Sequence, residues 1–235
     1  MSSPKRVARL AGVFYLVVAL CAFFAHFYAR GTVRVPGDAA ATADNIVAHA
    51  TLFRLGFVAD LVTATASLFV AMTLYRLFKH VNKDIAAAIV VFMAIGTGMT
   101  LVNLIFHFAA LLVATDASYA GLHTGGSDAL LLLLVDLHHY GYVIAGIMFG
   151  LWLLPMGYLA YTSGMFPRAL GVLLMIACAC YLIDTLTRFL LPDLGTTFSQ
   201  IVIMPTVVAE FWMVGYLLVI GVKTAKTARH TPVTA

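Results

Sequence analysis

Charge is what this sequence has least of: Asp, Glu, Lys and Arg make up 10% of its 235 residues, where an ordinary soluble domain carries roughly a quarter. That scarcity excludes a water-solvated surface of normal extent. Cysteine is scarce too, and Cys21, Cys178 and Cys180 all fall inside apolar runs. Cys178-Ala-Cys180 lacks the spacing of a redox or zinc motif, so no disulfide framework is implied and the three read as small buried hydrophobes. No HExxH, GxSxG or phosphate-loop signature occurs, which removes the commonest catalytic motifs. Lys and Arg gather at the ends of apolar runs instead of forming a stripe with aromatics, which excludes nucleic acid as a partner.

What the chain has is apolar length. Hydrophobic residues reach 63% and the mean hydropathy is +1.00, the composition of a polytopic membrane protein whose partner is the lipid bilayer. The length suffices for six spans of roughly 20 residues with short connections. The expected fold is therefore all-α, a six-transmembrane-helix bundle forming a single domain over residues 1–235. Breakers place the spans at about 10–29, 52–78, 85–114, 129–161, 169–191 and 198–222. Lys5, Arg6 and Arg9 ahead of the first span mimic a secretory signal, but no small-x-small cleavage site follows, so a retained helix is expected.

The connections carry their own signals. Between Arg30 and Asn45, Pro36-Gly37 makes a turn and Asp38 is placed to cap a short helix beginning at Ala39. As the longest connection, this stretch is expected to pack as a lid. Gly121, Gly125 and Gly126 mark the loop before the fourth span, Pro192 and Gly195-Thr196-Thr197 the turn before the sixth, and Pro205 predicts a kink inside the sixth. With the N-terminus inside, Arg30, Arg34, Arg54 and Arg188 are the outer basic residues and the other ten Lys and Arg lie at inner ends or in the tail, Lys226 and Arg229 included. That bias predicts both termini in the cytoplasm.

Ionisable residues inside spans are functional-site candidates by default. At about 1.5 Å per residue, His26, Asp60, Asn103, His107, Asp136, Asp184, Arg188 and Glu210 fall at similar depth, mostly in the outer half. That predicts one shared polar cavity. Helical spacing aligns Gly96, Thr100, Asn103 and His107 on one face of the third span, and Tyr181, Asp184 and Arg188 on one face of the fifth. In the fourth span, Asp136, His139 and Tyr140 share one face while His138 and Tyr142 share nearly the opposite one, and either could face the cavity. Each group also has a bland explanation. Asp184–Arg188 reads as a structural pair, Asn103 with His107 as interhelical hydrogen bonding, and Gly96, Gly98, Gly146 and Gly150 as packing residues. Glu210 has no basic residue within a turn.

Arg188 can neutralise one of the three aspartates, and the apparent excess of negative charge predicts a cationic or proton-donating ligand. Three functions fit. The first is binding or transport of a cation, a proton or a small polar solute by Asp60, Asn103, His107, Asp136, His138, Tyr140, Asp184, Arg188 and Glu210. The second is a membrane-embedded enzyme, metal-dependent in one version, with ligands from Asp136, His138 or His139, His107 and Asp184 and with Glu210 as general base. The third is haem or quinone binding through His107 and His138.

Several stretches together carry a resemblance. They are Val35-Pro36-Gly37-Asp38-Ala39-Ala40-Ala41-Thr42, Phe53-Arg54-Leu55-Gly56-Phe57 with Asp60, Asp136-Leu137-His138 with Tyr140-Gly141-Tyr142, Ser163-Gly164 with Pro167-Arg168 and Leu170-Gly171, and Tyr181-Leu182-Ile183-Asp184. In these the chain resembles, over nearly its whole length, the six-helix membrane proteins catalogued as domain of unknown function 4386. The resemblance implies a bacterial inner-membrane protein and brings no activity. A small residue is common there where this chain has His139, which sets His139 apart from Asp136, His138 and Tyr140. Short internal matches, Arg9 to Val13 with Arg168 to Val172 and Asp60 with Glu210, would make those two carboxylates equivalent if they reflect a repeat.

Overall fold

A chain with so few charges can place its backbone in lipid only if every N–H and C=O is satisfied internally, and a helix achieves this within one segment. The computed structural model describes residues 3–119, 127–191 and 198–223. Six of its helices are long and apolar enough to cross a bilayer: α1 (Pro4–Val33), α3 (Ala50–Phe78), α4 (Lys83–Thr115), α5 (Ser127–Thr162), α6 (Arg168–Leu190) and α7 (Phe198–Val219). A shorter helix, α2 (Ala39–Ala48), joins α1 to α3. No strand occurs among the described residues, so the protein is an all-α six-helix membrane bundle. The loop glycines Gly121, Gly125 and Gly126, the stop at Pro192, the Gly195-Thr196-Thr197 turn, and Lys226 and Arg229 lie outside the described residues.

Local chemistry sets the helix ends. The Asp38 side chain accepts from the Ala41 amide at 2.9 Å and starts α2, and Asn82 accepts from the Asp84 and Ile85 amides to start α4, each supplying a partner for donors that a helix N-terminus leaves free. The end of α1 departs from the sequence reading. Gly31 is tolerated inside it and no proline comes before Pro36, so the helix runs on to Val33, through a π-helical stretch at Phe24–Ala29. Arg30 therefore stands in its last turn and not in a loop. In α7 the helix is interrupted at Ile203, and Pro205 occupies the first turn of Met204–Val219, where its missing N–H costs nothing.

Each spanning helix packs against its neighbours in sequence, and α7 closes the ring against α1. The ring is filled in layers. Towards the chain termini, Tyr15, Leu74, Phe78, Ile89, Trp152, Met156, Leu170 and Met213 belong to one buried apolar core drawn from all six spans. At the opposite end, Ala43 and Ile46 of α2 join Val33, Phe53, Leu111, Leu131 and Val135 in a smaller apolar cap. Buried Arg30, Asp60, Asn103, His107 and His138 lie between the two.

The tightest crossing is between α5 and α6. A Cβ added to Gly157 would lie 2.7 Å from the Gly171 carbonyl oxygen, and one added to Gly171 would lie 2.7 Å from both the Gly157 carbonyl oxygen and the Tyr161 nitrogen. Backbone thus touches backbone, the arrangement small residues permit in membrane helices. Gly171→Val is expected to cost about 1–3 kcal/mol through overpacking, read as a lower unfolding temperature in detergent. Gly98→Ala, where an added Cβ meets nothing within 4 Å, is expected to leave that temperature unchanged or raise it.

Candidate functional site

The polar layer begins where α1 meets α3. Arg30 donates through Nη1 to Asp60 Oδ2 at 2.5 Å and through Nη2 to Oδ1 at 3.3 Å, so the guanidinium grips the carboxylate as a fork. Both side chains are buried, with 10% and 4% of their surface exposed. One turn earlier on α1, His26 brings Nε2 to 3.8 Å from Asp60 Oδ1, and its ring lies against Tyr142 of α5 with centroids 3.9 Å apart. Four residues beyond Arg30, Arg34 donates through Nε and Nη2 to Asp136 Oδ1 at 2.9 and 2.7 Å. His26, Arg30 and Arg34 thus form a ladder of basic groups at intervals of four along the end of α1.

Across from Asp60, α4 and α5 supply two histidines. His107 Nε2 lies 3.0 Å from the Phe53 carbonyl oxygen, and His138 Nδ1 lies 3.2 Å from that of Asn103. A carbonyl can only accept, so His107 Nε2 carries the proton and Nδ1 a lone pair. His138 Nδ1, which also lies 3.3 Å from Asn103 Nδ2, can donate to the carbonyl and leave Nε2 a lone pair, or accept from the amide. Those free nitrogens, His107 Nδ1 and His138 Nε2, are buried with no partner among the described residues. Asn103 fixes His138 from both sides, since its Nδ2 donates to the His138 carbonyl oxygen at 2.7 Å. Gly141 makes that reach possible, because a Cβ there would lie 2.1 Å from Asn103 Oδ1. His107 stacks on Phe53 at 3.8 Å and meets His138 edge to face at 5.3 Å. One ligand atom each from Asp60, His107 and His138 falls within 4.8 Å of the others.

The remaining candidates belong to separate groups. Asp184 accepts from Arg188 Nε at 3.1 Å within α6, and Arg188 also donates to Ser199 of α7. Glu210 accepts from Tyr15 at 2.6 Å and from Tyr181 at 3.2 Å, so it sits between two hydroxyls and is not chemically equivalent to Asp60. Tyr140 is 46% exposed and rests against His139 and Phe189.

The structure therefore brings Asp60, Asn103, His107 and His138 together, and sets Asp136 beside Arg34. It keeps Asp184, Arg188 and Glu210 in hydrogen-bonded groups of their own and turns Tyr140 outward. The two-faced fourth span resolves in favour of the His138 and Tyr142 face, which leaves Tyr140 nearly opposite. The expected excess of negative charge is corrected: Asp60, Asp136 and Asp184 each have an arginine. The enzyme ligand set built on Asp136 and Asp184 is corrected likewise, because the carboxylate that stands beside His107 and His138 is that of Asp60. Edge-to-face rings at 5.3 Å leave no slot for a macrocycle between His107 and His138, so haem does not fit there. Arg30, Arg34 and Tyr15 were the residues sequence reasoning missed as parts of the site. The unbroken run past Ala29 and the spacing of four from His26 to Arg34 were the available signals.

Six apolar spans enclosing a layer of paired charges and unpartnered imidazoles define an integral membrane protein with a buried polar site. The chain belongs to the family described as domain of unknown function 4386, whose model matches residues 10–221. It is also 37% identical over 68 residues to an uncharacterized protein of Archaeoglobus fulgidus, a match covering 29% of this chain and 41% of that protein. The chain thus spans about two fifths of the length of that relative. No solved structure matches.

Truncating Arg30 would strand a buried carboxylate, and breaking such a pair typically costs about 3–5 kcal/mol, whereas replacing both partners by apolar residues is often neutral. Arg30→Met is expected to lower the unfolding temperature in detergent sharply. The double variant Arg30→Met with Asp60→Leu is expected to recover most of the loss.

Proposed function

We propose that the protein is a membrane-embedded binding protein that holds a small cation, a proton or a small hydrogen-bond-donating solute in the polar layer beneath α2. The observation that carries this reading is the acceptor character of the layer. Of the five buried side-chain atoms without a partner among the described residues, Asn103 Oδ1 and His107 Nδ1 are acceptors in this layer and His138 Nε2 is one when Nδ1 carries the proton, while Asp184 Oδ1 belongs to the separate Arg188 pair and the fifth is the Thr97 hydroxyl. Each stranded acceptor costs about 1–3 kcal/mol. A ligand that relieves the cost must bring positive charge or donors. The paired aspartates do not supply the attraction; the lone pairs do.

The layers above and below favour capture over conduction. An ion moving further towards the chain termini would meet Leu74, Leu153, Met156 and Met213, an environment in which an unpaired charge is strongly disfavoured. The reading is tested by following thermal unfolding in detergent against protonated alkylamines and mono- and divalent cations. A ligand at about 100 times its Kd stabilises by about 2.7 kcal/mol. Stabilisation is expected for the native chain and is expected to shrink in His107→Phe, which removes one of the unpartnered acceptors. If no cationic or hydrogen-bond-donating ligand stabilises the native chain, the reading is wrong.

We further place the bundle in the inner membrane with both termini cytoplasmic. Ten of the fourteen Lys and Arg lie towards that side, and three of the other four, Arg30, Arg34 and Arg188, are held in ion pairs. Their position has a structural cause and does not weaken the positive-inside bias. A reporter fused after Ala235 is expected to be active only when it requires the cytoplasm; activity restricted to an externally active reporter refutes the orientation.

A further inference from the structure

We propose that Asp60, His107 and His138 form a site for one divalent transition-metal ion of the zinc class; this rests on the binding reading above and names its ligand. Three features of the cluster converge on a metal. One ligand atom from each residue lies within 4.8 Å of the others, close enough for an ion with bonds of about 2.0–2.1 Å to draw them in. The residues come from three different helices, so the arrangement does not arise from spacing along one helix face. Both imidazoles are almost wholly buried, with 1% and 3% exposed, yet each keeps one nitrogen unpartnered.

The second feature is how the rings are held. Metal-binding histidines usually donate their other N–H to a carbonyl or carboxylate, which sets the tautomer and the ring orientation. His107 does this to Phe53, and His138 Nδ1 lies 3.2 Å from the Asn103 carbonyl oxygen, placed to do the same. Interhelical hydrogen bonding alone explains the bonded nitrogens but not the free ones. Asn103, bonded to the His138 backbone and admitted by Gly141, is a positioning residue for His138.

The third feature is the donor set. Two imidazoles with one carboxylate suit Zn²⁺, Co²⁺, Ni²⁺ or Fe²⁺, whereas Mg²⁺ and Ca²⁺ take oxygen ligands. The Asp60 carboxylate offers about four lone-pair sites and Arg30 occupies two, so it can bind a metal while staying clamped. Because Arg30 cancels the charge of Asp60, a divalent ion arrives without protein compensation. An anion such as hydroxide is therefore expected in the coordination position that three protein ligands leave open.

The test uses the full chain in detergent, stripped with a chelator, loaded with Zn²⁺ or Co²⁺ and desalted. The native chain is expected to retain one ion, and the Co²⁺ form to show the visible bands of low-coordinate imidazole ligation. His107→Gln and His138→Gln are expected to lose the ion, while His139→Gln keeps it. Asn103→Ala is expected to bind at the same stoichiometry with about 10–100-fold weaker affinity. Should either histidine variant fail to fold, the visible bands of the Co²⁺-loaded native chain and their loss on exchange with Zn²⁺ carry the test instead. A native chain that retains no ion, variants that retain it fully, or a Co²⁺ form without the bands of imidazole ligation overturn the assignment. Stabilisation by a protonated alkylamine without metal retention overturns the metal and leaves the binding reading standing; stabilisation by neither overturns both.

Discussion

The buried fork between Arg30 and Asp60 is the contact on which the arrangement of this bundle depends. A lone Asp or Arg at the centre of a spanning helix costs about 2.5–3.5 kcal/mol on insertion scales, so each residue forces the other to be present. Because the fork engages both carboxylate oxygens, it also fixes how the end of α1 is rotated against α3. From that anchor the last three residues of α1 lead to Arg34, the extended residue that ends the helix, which reaches Asp136 on α5. One short stretch thereby ties α1 to two other helices, and α2 follows at once to close the end of the bundle over Phe53, Leu131 and Val135. The anchoring of the cap and the neutralisation of the polar layer have the same cause.

Hydropathy made the six spans legible because each is a long apolar run ended by glycine, proline or charge. Helical spacing made Asn103 and His107 legible as one face of α4, and Asp60 stood out as a lone carboxylate in an apolar run. Pairing across helices is a different kind of information. Arg30 and Arg34 sit where a span gives way to a polar stretch, so spacing assigned them to a loop, and the charge of the layer was misjudged as a result. The conclusion that a ligand would be cationic or proton-donating keeps support, but from unpartnered acceptors and not from surplus carboxylates. On α5 the sequence offers two polar faces almost opposite each other. Only the positions of α1 and α4 decide between them, drawing His138 and Tyr142 inward and leaving Tyr140 at the surface.

Two buried groups at comparable depth show why partner balance separates structural polarity from a site. Glu210 looked the more anomalous in sequence, an acid with no base nearby. In the fold both of its oxygens receive a tyrosine hydroxyl, so its needs are met by the protein and a ligand would have to displace them. His107 and His138 looked ordinary, since a histidine within a helix bundle is readily explained as hydrogen-bonding glue. Each ring lies against a backbone carbonyl, and donating to it leaves a lone pair on the opposite side of the ring, buried and unanswered. Asn103 and Gly141 reinforce the orientation where a freely rotating ring could have turned to find a partner. A bundle that needed these rings only for packing would gain by filling both positions with apolar residues, as buried polar groups without partners lower stability. On the proposed reading, a single bound ion that accepts electrons from both rings removes that cost at both positions at once.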